Sequence, residues 1–148
     1  MGFIKNNGDA STVNLKGQKF GDKYIKAISA GLKETKMVES CQFSNNRLTD
    51  AGFNQILSNL SHEVIRLDFA NNRISNMDGK MLNIIMDPEG RLEYLNLESN
   101  LISDKAAEVL CRTVVASKHL KYLNLRKNLL TKKSGEFISQ VLSQSTSL

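Results

Sequence analysis

Tryptophan is absent from this 148-residue chain, and proline occurs once. The two cysteines are too few to frame a disulfide-stapled secreted scaffold. Apolar runs such as Ile84-Ile85-Met86 fall far short of the ~20 residues that span a bilayer. The N-terminus shows no apolar stretch of signal-peptide length. Its Met1-Gly2 start carries Asn6 where a myristoylation signal needs Ser or Thr. Neither a G-x-x-x-x-G-K-[ST] phosphate loop nor a G-x-G-x-x-G turn is present. These gaps describe a cytoplasmic chain that calls for no cofactor and no membrane. A hydrophobic share of 41% with 24% charged residues suits a folded domain rather than a disordered one.

The net charge of +5 is unevenly placed. Residues 1–36 carry seven Lys against Asp9, Asp22 and Glu34, and residues 118–148 carry six cations against Glu136. The middle, 37–117, holds seven cations against eleven acids. Both ends are basic and the centre is mildly acidic. Nucleic-acid binding is the weakest reading of this balance, because the cations sit at the ends and not along one groove.

The chain repeats itself. Val38-x-x-Cys41-x-Phe43-x-x-Asn46-x-Leu48 recurs as Val64-x-x-Leu67-x-Phe69-x-x-Asn72-x-Ile74. It recurs again as Leu92-x-x-Leu95-x-Leu97-x-x-Asn100-x-Ile102 and Leu120-x-x-Leu123-x-Leu125-x-x-Asn128-x-Leu130. A degenerate first copy runs Ala10-x-x-Val13-x-Leu15-x-x-Gln18-x-Phe20. Repeat boundaries fall at about 10–37, 38–63, 64–91, 92–119 and 120–147, with 1–9 as an N-terminal flank or the end of a preceding repeat. Phe3 and Ile4 stand where such a repeat would end, and Leu148 where a sixth would begin, so the phase predicts a piece of a longer array.

Each unit has a physical logic. The alternating apolar core predicts a short strand with one buried face. After the Asn the spacing turns helical, as in Phe53, Ile56, Leu57 and Leu60, in Tyr24, Ile25, Ile28 and Leu32, and in Phe137, Ile138, Val141 and Leu142. Thr49, Ser75, Ser103 and Thr131 stand three residues after each Asn, where a hydroxyl cap is expected. Pro88 falls between the third helix and the fourth strand, where a helix must stop. Strand, turn and helix about every 28 residues predict an α/β solenoid, with parallel strands lining the concave face and helices the convex one.

This pattern resembles the leucine-rich repeat family, and within it the long-repeat, ribonuclease-inhibitor-like subfamily. Asn46-Arg-Leu-Thr-Asp-Ala-Gly52 and Asn100-Leu-Ile-Ser-Asp-Lys-Ala106 carry the likeness, which covers roughly residues 10–148. The resemblance implies a horseshoe arc and a non-catalytic protein-binding scaffold. It leaves two further readings: a regulator of a small GTPase like Ran GTPase-activating protein, or a tropomodulin-like actin and cytoskeletal binder. Fewer repeats and a basic last segment count against the first of these. Ciliary scaffolds also share the fold.

Asn46, Asn72, Asn100 and Asn128 are expected to form an internal ladder that satisfies backbone groups of neighbouring loops. The strand register places Thr12, Ser40, Arg66, Tyr94 and Tyr122 in one outward row. Asn14, Gln42, Asp68, Asn96 and Asn124 form the next, and Lys16, Ser44, Ala70, Glu98 and Arg126 the third. Tyr94 beside Tyr122, sharing a face with Glu98 and Arg126, has the composition of an interface anchor. The partner-binding set is Arg66, Asp68, Tyr94, Asn96, Glu98, Tyr122, Asn124 and Arg126, for a protein partner of a monomer or a subunit of a larger assembly. A stable interface uses ~20–30 residues a side, more than these fifteen positions, so loops must contribute.

Catalytic and metal readings are weak. His62 and His119 fall in helix-to-strand loops two repeats apart and read as solvent-exposed. Cys41 reads as a small buried hydrophobe, and Cys111 lies at a different phase in the fourth helix. The Asn59-Leu60-Ser61 sequon has no secretion signal beside it.

Overall fold

The computed structural model describes residues 11–35 and 37–148. The N-terminal flank 1–9, with Phe3 and Ile4, lies outside the described residues. Five strands alternate with five helices: β1 (Thr12–Asn14), α1 (Ile25–Glu34), β2 (Ser40–Gln42), α2 (Asp50–Leu57), β3 (Arg66–Asp68), α3 (Gly79–Ile85), β4 (Tyr94–Asn96), α4 (Asp104–Ala116), β5 (Tyr122–Asn124) and α5 (Ser134–Gln144). The strands form one parallel sheet in chain order. Each repeat therefore packs on the one before it, giving a leucine-rich-repeat-like α/β solenoid.

The register is the one the repeats dictate. Val13, Cys41, Leu67 and Leu95 pair in sequence along the inner side of the sheet, and all four are buried. Phe43 and Phe69, two residues on, stack at 5.2 Å, and Phe53 of α2 meets Phe69 edge-on at 4.9 Å. Full burial of each such side chain contributes ~1.5–3 kcal/mol. Helices close the outer side with Ile25 and Leu32, then Phe53, Ile56 and Leu57, then Leu82 and Ile85, then Leu110 and Val114.

The end repeats depart from the expected pattern. Tyr24 precedes α1 and is 50% exposed, with Lys23 Nζ 5.2 Å from its ring. In α5 only Val141 and Ser134 are buried, while Ile138 is exposed and Leu142 is 68% exposed. The physical reason is that α5 packs on α4 with one face and meets no helix on the other among the described residues.

Of the hydroxyls three residues after each Asn, only that of Thr131 accepts a backbone N–H at the start of its own helix, from Lys133 at 3.2 Å. Thr49 and Ser103 flank α2 and α4 without a side-chain cap bond. In the third repeat Asp78 caps α3 instead, accepting from Lys80 N at 2.8 Å. Three of the four hydroxyls reach back to an aspartate of the preceding repeat; Ser103 does not, since Asn76 stands at the matching position. Thr49 Oγ1 donates to Asp22, Ser75 Oγ to Asp50 (2.9 Å) and Thr131 Oγ1 to Asp104 (2.8 Å). The same carboxylates accept the backbone N–H of Thr49 (3.0 Å), Ser75 (2.6 Å) and Thr131 (2.8 Å). A carboxylate accepts several donors at once, which a capping hydroxyl cannot match. The hydrogen bond from Ser134 Oγ, then those from Thr131 N and Oγ1, hold the Asp104 carboxyl below its ordinary pKa.

A second set of cross-repeat bonds comes from the Asn positions. Asn72 Oδ1 accepts from Asn46 N (3.1 Å) and Leu48 N (3.0 Å), and its Nδ2 donates to the Phe43, Phe69 and Ala70 carbonyls. Asn100 and Asn128 repeat this, accepting from Ile74 N (3.1 Å) and Ile102 N (3.0 Å). Asn46 donates to Leu15 O and Phe43 O, but its Oδ1 is buried without a partner. Among the described residues the first repeat, with Gln18 in place of Asn, supplies no N–H to that oxygen.

The residue before each Asn position adopts a left-handed conformation: Gly17, Asn45, Asn71, Ser99 and Lys127, with φ between 54° and 74°. The chain leaves each strand through this turn. It suits Gly and Asn, whereas Ser99 and Lys127 carry ~1–2 kcal/mol of strain each.

Candidate functional site

The outer row of the sheet aligns Ser40, Arg66, Tyr94 and Tyr122 on successive strands. Tyr94 and Tyr122 stack face to face, with ring centroids 4.5 Å apart and planes within 2°. Parallel strands lie ~4.8 Å apart, so this stack is the sheet spacing expressed in side chains. Arg66 completes it from the other side, its Cζ 4.1 Å from the Tyr94 ring centroid. A guanidinium over an aromatic face is worth about 0.5–1 kcal/mol at an exposed site. The result is a three-layer column, Arg66–Tyr94–Tyr122. Its last ring belongs to edge strand β5 and is 45% exposed. Burial, then the neighbouring Tyr122 and Asp68, push the Tyr94 phenol above its ordinary pKa, so it stays neutral.

The middle row behaves differently. Asn14, Asp68, Asn96 and Asn124 each accept, through Oδ1, the backbone N–H two residues on, at 3.0–3.1 Å. These side chains bend their own chain out of the strand instead of bonding along a ladder. One crosses over: Asn124 Nδ2 donates to Glu98 Oε2 at 3.1 Å. Glu98 is held below its ordinary pKa first by Lys127, 3.1 Å away, and then by Asn124. Its ion-pair partner is therefore Lys127, while Arg126 is exposed and makes no salt bridge among the described residues.

The third row corrects an expectation. Ser44 and Ala70 are buried, so they offer no contact to a partner. Both lie two residues beyond their three-residue strands, where strand alternation no longer sets which way a side chain faces. Thirteen of the fifteen outward positions remain, and the argument that loops must contribute strengthens.

His62 is exposed, but His119 is half-buried, with Nε2 3.2 Å from the Pro88 carbonyl oxygen. Cys41 and Cys111 are both buried, and burial pushes the Cys41 thiol up to about 12. No group of three or more His, Cys, Asp or Glu is placed to hold a metal among the described residues. No helix among them is long and apolar enough to cross a membrane.

Comparison with known proteins agrees on the class of fold. The leucine rich repeat family profile matches at residues 92–111 and 116–139. Sequence comparison with curated proteins gave no match. Among solved structures the chain is similar to one described as leiomodin-1 actin-binding site 2, with TM-score 0.69 and 14% identity over 93% of this chain and 82% of that one. It is also similar to a tropomodulin C-terminal domain from Caenorhabditis elegans, with TM-score 0.63 and 12% identity over 96% and 87%. At these identities the likeness is one of fold. Neither comparison singles out the ribonuclease-inhibitor-like subfamily.

Proposed function

We propose that this chain is a non-catalytic protein-binding module whose partner is actin, engaged through the concave sheet face around Tyr94 and Tyr122. The Arg66–Tyr94–Tyr122 column is the observation that carries the reading. It presents a rigid aromatic anchor with charged neighbours on a preformed surface, so little ordering entropy opposes binding. Asp68, Asn96, Glu98, Asn124 and Arg126 surround it as the polar rim. The fold likeness to a structure described as an actin-binding site supports actin as the partner in this reading. A cytoskeletal, intracellular setting follows from that partner. The 26–28-residue spacing keeps the repeats in the long, ribonuclease-inhibitor-like type as part of the same reading.

Binding to monomeric actin by anisotropy and to filaments by co-sedimentation tests this. Wild type binds, and Tyr94→Ala/Tyr122→Ala weakens binding by roughly tenfold or more, as for a hot-spot pair. Absence of binding to either form of actin refutes the partner. Unchanged affinity of the double variant refutes the concave face.

A further inference from the structure

A second surface lies on the loop edge of the sheet, at the residue following each Asn position. In the second to fifth repeats this residue is Arg47, Arg73, Leu101 and Leu129, and all four are exposed. Leu101 and Leu129 are 45% and 59% exposed and stand at equivalent positions of adjacent repeats. Neither arginine makes an ion pair with any described acid. The nearby aspartates Asp22, Asp50 and Asp104 are already engaged with hydroxyl and N–H donors of the next repeat.

The row is stiff. Arg73 N donates to Leu48 O, Leu101 N to Ile74 O and Leu129 N to Ile102 O, at 2.8–2.9 Å, so backbone bonds set the rungs. Arg47 is held with φ of 62°, as is Lys19 at the same place of the first repeat with φ of 54°. Two cations with no ion-pair partner among the described residues, followed by two exposed leucines, thus lie on consecutive rungs.

We infer that this edge binds an acidic amphipathic helix of a partner protein, with carboxylates at i and i+3 against Arg47 and Arg73 and apolar residues at i+7 and i+10 against Leu101 and Leu129. The spacing selects a helix. Three rungs at ~4.8 Å cover ~14 Å, and ten helical residues rise ~15 Å while keeping these positions on one stripe. An extended strand returns to the same face every ~6.7 Å and slips out of register by about 2 Å per rung. Carboxylates at the N-terminal end of the helix also suit its own dipole. The surface is separate from the tyrosine column, and the inference does not depend on actin being the partner.

The probe is a fluorescein-labelled, side-chain-stapled alanine-based helix with Glu at i and i+3 and Leu at i+7 and i+10. The staple is needed because short helices are marginal in water. Anisotropy should show saturable binding that weakens with added salt and is unaffected by Tyr94→Ala/Tyr122→Ala. Arg47→Glu/Arg73→Glu should weaken it roughly tenfold or more, and Leu101→Ser/Leu129→Ser several-fold, with thermal melts near wild type for both. A probe with Lys in place of Glu should not bind. No binding up to about 1 mM, a Lys probe that binds as well, or an arginine double variant within about twofold of wild type each overturns the inference.

Discussion

Replacing Asn72 by Ala removes the most connected rung of the asparagine ladder. Five backbone groups lose a partner: the N–H groups of Asn46 and Leu48 and the carbonyls of Phe43, Phe69 and Ala70. Only the two N–H groups are stranded, because Phe43 O keeps Asn46 Nδ2, Phe69 O keeps Asn100 Nδ2 and Ala70 O keeps Asn45 N. At ~1–3 kcal/mol for each stranded N–H and ~0.5 kcal/mol or less for each carbonyl, the range is ~3–7 kcal/mol. The Ala70 bond is long, at 3.3 Å, and water can enter the widened loop, which draws the expected cost to ~3–5 kcal/mol. With a urea m-value near 2 kcal/mol/M, the midpoint falls by ~1.5–2.5 M. Asn128→Ala is the internal control. It makes the same kinds of bond, but its side chain is half-buried in the last repeat, where water replaces lost partners at a cost of ~1 kcal/mol. Urea unfolding followed by circular dichroism measures both. Equal costs for the two variants, or a cost below ~1 kcal/mol for Asn72→Ala, would refute the account of the ladder as buried backbone satisfaction.

Ser99→Gly relieves a left-handed strained position and should raise stability by ~0.5–1 kcal/mol, the relief less the extra chain entropy of glycine, as read by thermal melting. Asp104 is held below its ordinary value of 3.8, so its share of stability is present above that pH and is lost as pH falls through the lowered folded value. Acid titration of Asp104→Asn should therefore show a shallower loss of stability below about pH 4 than wild type. The Cys41 thiol, buried and pushed up to about 12, should resist aromatic disulfide reagents at pH 8 until denaturant is added; prompt labelling of Cys41 in the native protein would contradict its burial.

The strands were legible because apolar alternation and a shared phase leave only one register that buries Cys41, Leu67 and Leu95 together. Tyr94 beside Tyr122 was legible for the same reason. Arg66 over Tyr94 was not, since a strand position says nothing about where a long, flexible side chain lies. The aspartate-to-hydroxyl rungs were written in the sequence, with Asp22, Asp50 and Asp104 four residues after their Asn or Gln positions. Local capping rules hid them, because such rules look within one repeat while these bonds join two. The left-handed turn shows in Asn45 and Asn71 but not in Ser99 or Lys127, where neighbouring repeats impose a conformation the residue does not prefer.

The basic last repeat is also the least buried one, and the two facts bear on each other. Leu123, Leu125 and Phe137 are only partly buried, and the column of stacked rings ends there on Tyr122. Among the described residues the fifth repeat packs on one neighbour only, and a repeat with one such interface gains less nearest-neighbour stabilisation. Its exposed cations Arg126, Lys132 and Lys133 have no acid within ion-pair distance among the described residues, so like-charge repulsion adds to that weakness. A partner that covers Tyr122 and brings negative charge therefore does two things at once: it fills the anchor and neutralises the repeat that carries it. Binding on the concave face should then slow amide exchange in β5 and α5 more than in the buried centre. That asymmetry follows from stacking and charge alone, whichever protein supplies the contact.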